Sequence, residues 1–118
     1  MDKYSDILDL EIIAGLKELG SGEEDFFKEV IDLYLEQAPG LIKEIKTNAF
    51  SADAEKMGKS AHTLKGASLN VGAKVFAEVC KAIELDGKNN NLSDVANNLL
   101  KLDELFAITK SALLDLAG

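Results

Sequence analysis

The sequence has no arginine and no tryptophan, and only one histidine, one cysteine and one proline among 118 residues. Each scarcity excludes something. A lone cysteine, Cys80, cannot close an internal disulfide, and nothing else in the chain points to secretion. A lone histidine, His62, excludes a site built on two or three histidines of one chain. Together with Cys80 it cannot supply the four ligands of a zinc finger, so no metal site is expected. Strand formers are scarce too: Val and Thr together number 8, against 18 Leu and 14 Ala. That balance favours helix. There is no run of 18 apolar residues and no signal-peptide pattern at the start, so no membrane association is expected.

What is present fits one soluble domain over residues 1–118, expected to be cytoplasmic and monomeric. Hydrophobic residues make up 47% of the chain, enough to offset the entropy of a folded chain of this length. The 13 basic residues, all lysine, face 21 acidic ones, for a net charge of −8. That excess argues against nucleic acid or an anionic membrane as a partner.

The apolar spacing predicts five helices, over residues 9–19, 22–48, 52–70, 73–86 and 93–116. The first carries Leu10, Ile13 and Leu16, and Gly20 and Gly22 end it. Ser21 and Glu24 have the spacing of a capping box for the second. Phe27, Val30, Ile31, Tyr34, Ala38, Leu41, Ile42 and Ile45 then form one stripe. Pro39 interrupts the backbone bonding there, but the stripe keeps its phase across it. One long kinked helix is therefore expected rather than two. Ser51 is the expected cap of the third helix, whose stripe is Ala54, Met57, Ala61, Leu64, Ser68 and Val71, and Gly72 stops it. Val75, Phe76, Val79, Cys80 and Ile83 face inward on the fourth. Residues 87–91 read as a polar turn, and Ser93 as the cap of the fifth. The architecture expected is all-α, an up-and-down four-helix bundle with an N-terminal helix covering one end.

His62 stands apart from the apolar stripe of its own helix, by roughly 140° at the 3.6-residue period. It should face solvent, beside Glu55, Gly58, Lys59, Lys65, Gly66 and Leu69. Two of these are glycines, each costing about 1 kcal/mol relative to alanine at an exposed helical position. Gly58 and Gly66 are therefore read as close-approach glycines that leave the imidazole unshielded. Lys59 and Lys65 flank it at three residues either side and suit a phosphoryl group. Cys80 falls on an apolar stripe and reads as a small core residue. Glu78, Glu84 and Asp86 read as surface charge.

The run Ala61-His62-Thr63-Leu64-Lys65-Gly66-Ala67-Ser68, followed by Asn70-Val71-Gly72-Ala73, resembles the signature of histidine-containing phosphotransfer domains. The resemblance extends from about Asp9 to Leu116. Phe26 or Phe27, Tyr34 and Pro39 look like that family's second helix, and Cys80 with Glu84 falls where the family often has a Cys…Leu-Glu pattern. The resemblance implies a phosphocarrier. His62 would take a phosphoryl group, on its Nε2, from a receiver-domain aspartate or a histidine kinase, and pass it to another receiver aspartate. Lys65 would sit beside the phosphoryl oxygens, with Lys59 as a second cation, and Gly66 would admit the partner's loops. Leu69, Ile12 or Ile13, and Phe26 would help partners dock. The expected partners are response regulator receivers and a hybrid histidine kinase.

The chain contains no Walker motif and no kinase-type glycine loop. No nucleotide site and no cofactor are expected, and magnesium should come from the partner receiver. An adaptor that binds receivers without carrying phosphate would not need the His-Thr-Leu-Lys-Gly run. A phospho-accepting domain of a larger histidine kinase would carry the same run. The start at Met1 and the lack of a trailing linker favour a complete chain.

Overall fold

A computed structural model describes residues 3–20 and 24–118, with the side chains of Glu24 and Asp25 left aside. The expected capping box of Ser21 and Glu24 lies outside the described residues, as does Gly22. Five helices follow in order: α1 (Leu10–Leu19), α2 (Glu24–Phe50), α3 (Ala54–Asn70), α4 (Lys74–Lys88) and α5 (Val95–Ala117). Helices α2 to α5 form a ring. α3 packs on α2 and α4, α5 packs on the same two from the other side, and α1 lies against α2. Short connections make this ring the expected four-helix bundle with an added N-terminal helix.

Local chemistry accounts for most of the boundaries. Asp9 caps α1 through its carboxylate, which accepts from the backbone N–H of Glu11 at 3.1 Å and of Ile12 at 3.3 Å. The Asp9 backbone N–H donates to the Gly72 carbonyl at 2.7 Å. Gly72 has φ +77°, and a Cβ there would lie 2.8 Å from the Asp9 carbonyl oxygen. A residue with a side chain would thus be strained and would push α1 off the α3–α4 turn.

Two expected caps are displaced. The cap of α3 is Asp53, which accepts from the Lys56 N–H at 3.1 Å, while the Ser51 hydroxyl donates to the Asn48 carbonyl. Asp94 occupies the N-cap position of α5 without a side-chain capping bond, while Ser93 is taken up by the Asn91 side chain through both its backbone N–H and its hydroxyl. In each case a nearby local turn captures the serine before the helix can use it.

α2 runs unbroken through Pro39. An internal proline costs about 3 kcal/mol. Burial of Ile31, Tyr34, Ala38, Ile42 and Ile45 along one side outweighs it, since every one belongs to the core. Ser68 enters the same core without a penalty, because its hydroxyl pairs with Tyr34 at 2.7 Å and ties α3 to α2.

α4 extends to Lys88, so Gly87 is helical rather than part of a turn. This changes the reading of Gly58, which is buried. It is not an open glycine beside His62. A Cβ on Gly58 would sit 3.2 Å from the Gly87 Cα, and one on Gly87 would sit 2.6 Å from the Gly58 Cα and 2.7 Å from the Ala54 carbonyl oxygen. The two glycines let the α3 and α4 backbones touch. Gly87→Ala is therefore expected to destabilise the fold by about 1–3 kcal/mol, the usual cost of overpacking. Gly58→Ala meets a looser fit and also gains about 1 kcal/mol of helix propensity, so it should cost much less. Urea denaturation of the two variants checks this. Equal midpoints would show that the helices separate freely at the crossing.

Candidate functional site

His62 projects from the outer side of α3, with its side chain 67% exposed. What orients it comes from α4. Its Nδ1 lies 2.6 Å from Oε2 of Glu84, a carboxylate only 7% exposed. The other carboxylate oxygen, Oε1, accepts from Lys65 Nζ at 2.5 Å. Lys88, one turn beyond Glu84 on α4, brings its ammonium to 3.6 Å of Oε2. One buried carboxylate thus gathers the imidazole and two ammonium groups.

The protonation state follows from these contacts. The Lys65 hydrogen bond holds Glu84 at about 2 against the desolvation that opposes it, with the His62 bond adding to the effect. Glu84 is therefore ionised at neutral pH and can only accept. The proton of a neutral His62 ring must then sit on Nδ1, donated to Glu84. The Nε2 lone pair is left on the solvent side, which makes Nε2 the nucleophilic atom.

Glu84, expected to be surface charge, is instead the covered centre of this cluster. The signal was available on the helix wheel. Glu84 follows Ile83 directly and lies one turn from Cys80, at the edge of the α4 apolar stripe, where a charged side chain is covered unless it extends. Cys80 is buried, and burial pushes its thiol up to about 12, in keeping with the core role expected of it.

The remaining expected residues divide. Gly66 lies one turn from His62, and a Cβ there would meet nothing within 4 Å, so its face is open. Leu69 is 49% exposed and Ile12 is 40% exposed. With Gly15, Leu16 and Leu19 they line a shallow depression where α1 meets the end of α3. Ile13 does not join them. It is buried in the core, as the inward face of α1 requires. Phe26 is half-buried, and Phe27 takes the core position. Lys59 pairs with Glu55 along its own helix at 3.2 Å and makes no contact with Glu84. On the other side of His62, Gly58, Lys59, Thr63, Gly87 and Lys88 border an open groove of about 460 Å³.

Comparison with known proteins matches this arrangement to one family. The family model for the Hpt domain matches residues 29–112, which include α3, α4 and the His62–Glu84–Lys65 cluster. The chain belongs to the Hpt domain family. This Hpt domain is 30% identical over 98 residues to histidine-containing phosphotransfer protein 2 of Arabidopsis thaliana, covering 80% of the chain and 63% of that protein. It is 23% identical over 90 residues to the phosphorelay intermediate protein YPD1 of Candida albicans, covering 76% of the chain and 49% of that protein. The chain therefore spans about half to five-eighths of the length of these curated relatives. Two crystal structures share the fold of this Hpt domain. Histidine-containing phosphotransfer protein B of Pseudomonas aeruginosa superposes with a TM-score of 0.86 at 24% identity, covering 93% of each chain. The Medicago truncatula protein MtHPt2 gives 0.81 at 21% identity, over 94% of this chain and 76% of that one.

Proposed function

We propose that this Hpt domain is a phosphocarrier of a two-component phosphorelay, taking a phosphoryl group on His62 Nε2 from a receiver aspartate or a histidine kinase and passing it to another receiver aspartate. One observation carries the reading: an exposed imidazole whose Nδ1 is held by a buried, ionised carboxylate, so that the free Nε2 faces outward.

In the loading step the Nε2 lone pair forms a bond to phosphorus while the bond from phosphorus to the aspartyl oxygen breaks, returning that electron pair to the departing carboxylate. The Nδ1 proton stays on the ring, shared with Glu84, which offsets the positive charge that the imidazole acquires. In the forward step a second receiver's carboxylate attacks phosphorus, the N–P bond breaks, and its electron pair returns to Nε2. Such transfers pass through loose transition states in which positioning and charge stabilisation are the main contributions. Glu84 supplies the positioning, and Lys65, held on its other carboxylate oxygen, is a cation of the same cluster.

The charge-neutralising magnesium belongs to the receiver's acidic site, and the carrier needs no nucleotide site of its own. Receivers would dock over His62, with Gly66 admitting their loops and Leu69 and Ile12 giving an apolar contact. Transient complexes are suited by such small apolar patches ringed by charge. The carrier would act in the cytoplasm as a monomer. Among the described residues no helix is long and apolar enough to cross a membrane.

Incubation with an isotopically phosphorylated receiver tests the reading. The chain should acquire a label that alkali spares and acid removes, and should surrender it to a second, unlabelled receiver. Failure to acquire label from every receiver and kinase offered would overturn the reading.

A further inference from the structure

We propose that Lys88 is a phosphoryl-binding cation, which leaves Glu84 for the phosphoryl oxygens once His62 is loaded. This rests on the phosphocarrier reading and extends it to a residue of another helix.

Glu84 shares its two oxygens unequally. Lys65 holds Oε1 at 2.5 Å and is mostly covered, with its side chain 23% exposed. Lys88 approaches Oε2 only to 3.6 Å, and that oxygen is already taken by His62 Nδ1 at 2.6 Å. Lys88 is thus the looser of the two ammonium groups, and it stands beside the ring. It is the last residue of α4, and helical side chains lean toward the N-terminus, which carries this one back over Glu84. Its side chain is 68% exposed and borders the open groove beside His62. Gly58 and Gly87, where the α3 and α4 backbones touch, line the same groove.

A phosphoryl group on Nε2 changes the balance of attraction. A single carboxylate charge is already shared among three partners, whereas a phosphoryl group brings a charge of about −1.5 to −2 with three acceptor oxygens. The stronger acceptor arises within a short swing of Lys88. Lys59, the cation expected from the helix wheel, also lines the groove but is paired with Glu55 at 3.2 Å.

The consequence concerns lifetime. Spontaneous loss of the phosphoryl group proceeds through a loose transition state driven by electron density on its oxygens. An ammonium on those oxygens withdraws that density and slows the loss.

Potassium phosphoramidate provides a test without any partner. Nε2 attacks phosphorus, the P–N bond of the reagent breaks, and ammonia departs. ³¹P NMR then follows the phosphohistidine signal and its decay in wild type, Lys88→Ala and Lys59→Ala. Both lysines are exposed, so neither variant should lose its fold. Lys88→Ala should shed the phosphoryl group several-fold faster than wild type, with a displaced ³¹P resonance, while Lys59→Ala behaves as wild type. A Lys88→Ala protein with the wild-type resonance and an equal or longer lifetime would overturn the assignment of Lys88 alone. No phosphoryl uptake on wild-type His62 would overturn the carrier reading as well.

Discussion

Glu84→Ala is expected to slow phosphoryl transfer by about 10–100-fold, the range that misplacing a reacting group produces. The loss should appear in the rate of the transfer step, with the receiver concentration at half-maximal rate little changed. Glu84 is only 7% exposed and offers a partner almost no surface, so its effect must pass through the His62 ring and the two lysines it holds, Lys65 and Lys88. Glu84→Gln should be milder, since an amide oxygen can still accept from Nδ1 but carries no charge. Rapid-quench kinetics with one receiver at several concentrations separates the two parameters. A change confined to the half-saturating concentration would make Glu84 a docking residue instead.

The same carboxylate has a signature in stability. Its folded value of about 2 lies below the ordinary 4.5, chiefly because Lys65 donates to the ionised form. A carboxyl depressed in this way stabilises the fold above its unfolded value and loses that contribution as pH falls through the folded one. The wild type should therefore exceed Glu84→Gln by on the order of 2 kcal/mol near neutral pH, a margin that shrinks between about pH 4.5 and pH 2. Urea unfolding across that range measures it. A margin constant with pH would locate the stabilisation in packing rather than charge.

Gly66 should show stability and function pulling apart. No neighbour opposes a side chain there, so Gly66→Ala should stabilise the protein by about 0.5–1 kcal/mol through helix propensity alone. Gly66→Leu should leave the helix intact and slow transfer strongly, because the added side chain stands one turn from Nε2 where a receiver must approach. Thermal unfolding and transfer kinetics on the same samples check both. Wild-type kinetics in Gly66→Leu would show that partners reach His62 by another route.

Much of this was legible in the sequence because it depends on periodicity within single helices. The exposure of His62, the inward stripe of α2 across Pro39 and the stop at Gly72 all follow from wheel positions and local backbone chemistry. The readings that changed depend on what a neighbouring helix contributes. Gly58 and Gly66 are alike on the wheel of α3, but α4 lies over Gly58 and places Gly87 against it. Glu84 looks like ordinary surface charge on α4 alone, and becomes the centre of the site only when α3 supplies His62 and Lys65. Ile12 and Ile13 are adjacent, and only the docking of α1 decides which one is buried. Ser51 and Ser93 have capping chemistry, but competing local turns hold both, so Asp53 caps α3 and α5 starts after Asp94 with no side-chain cap.

If this Hpt domain is a carrier, the phosphoryl group resides on the only histidine of the chain. The most direct test is labelling of wild type and His62→Gln by the same phosphorylated receiver, with the label assayed in acid and in alkali. The expected result is an acid-labile, alkali-stable label on wild type and none on His62→Gln. A label of equal extent on His62→Gln would contradict it.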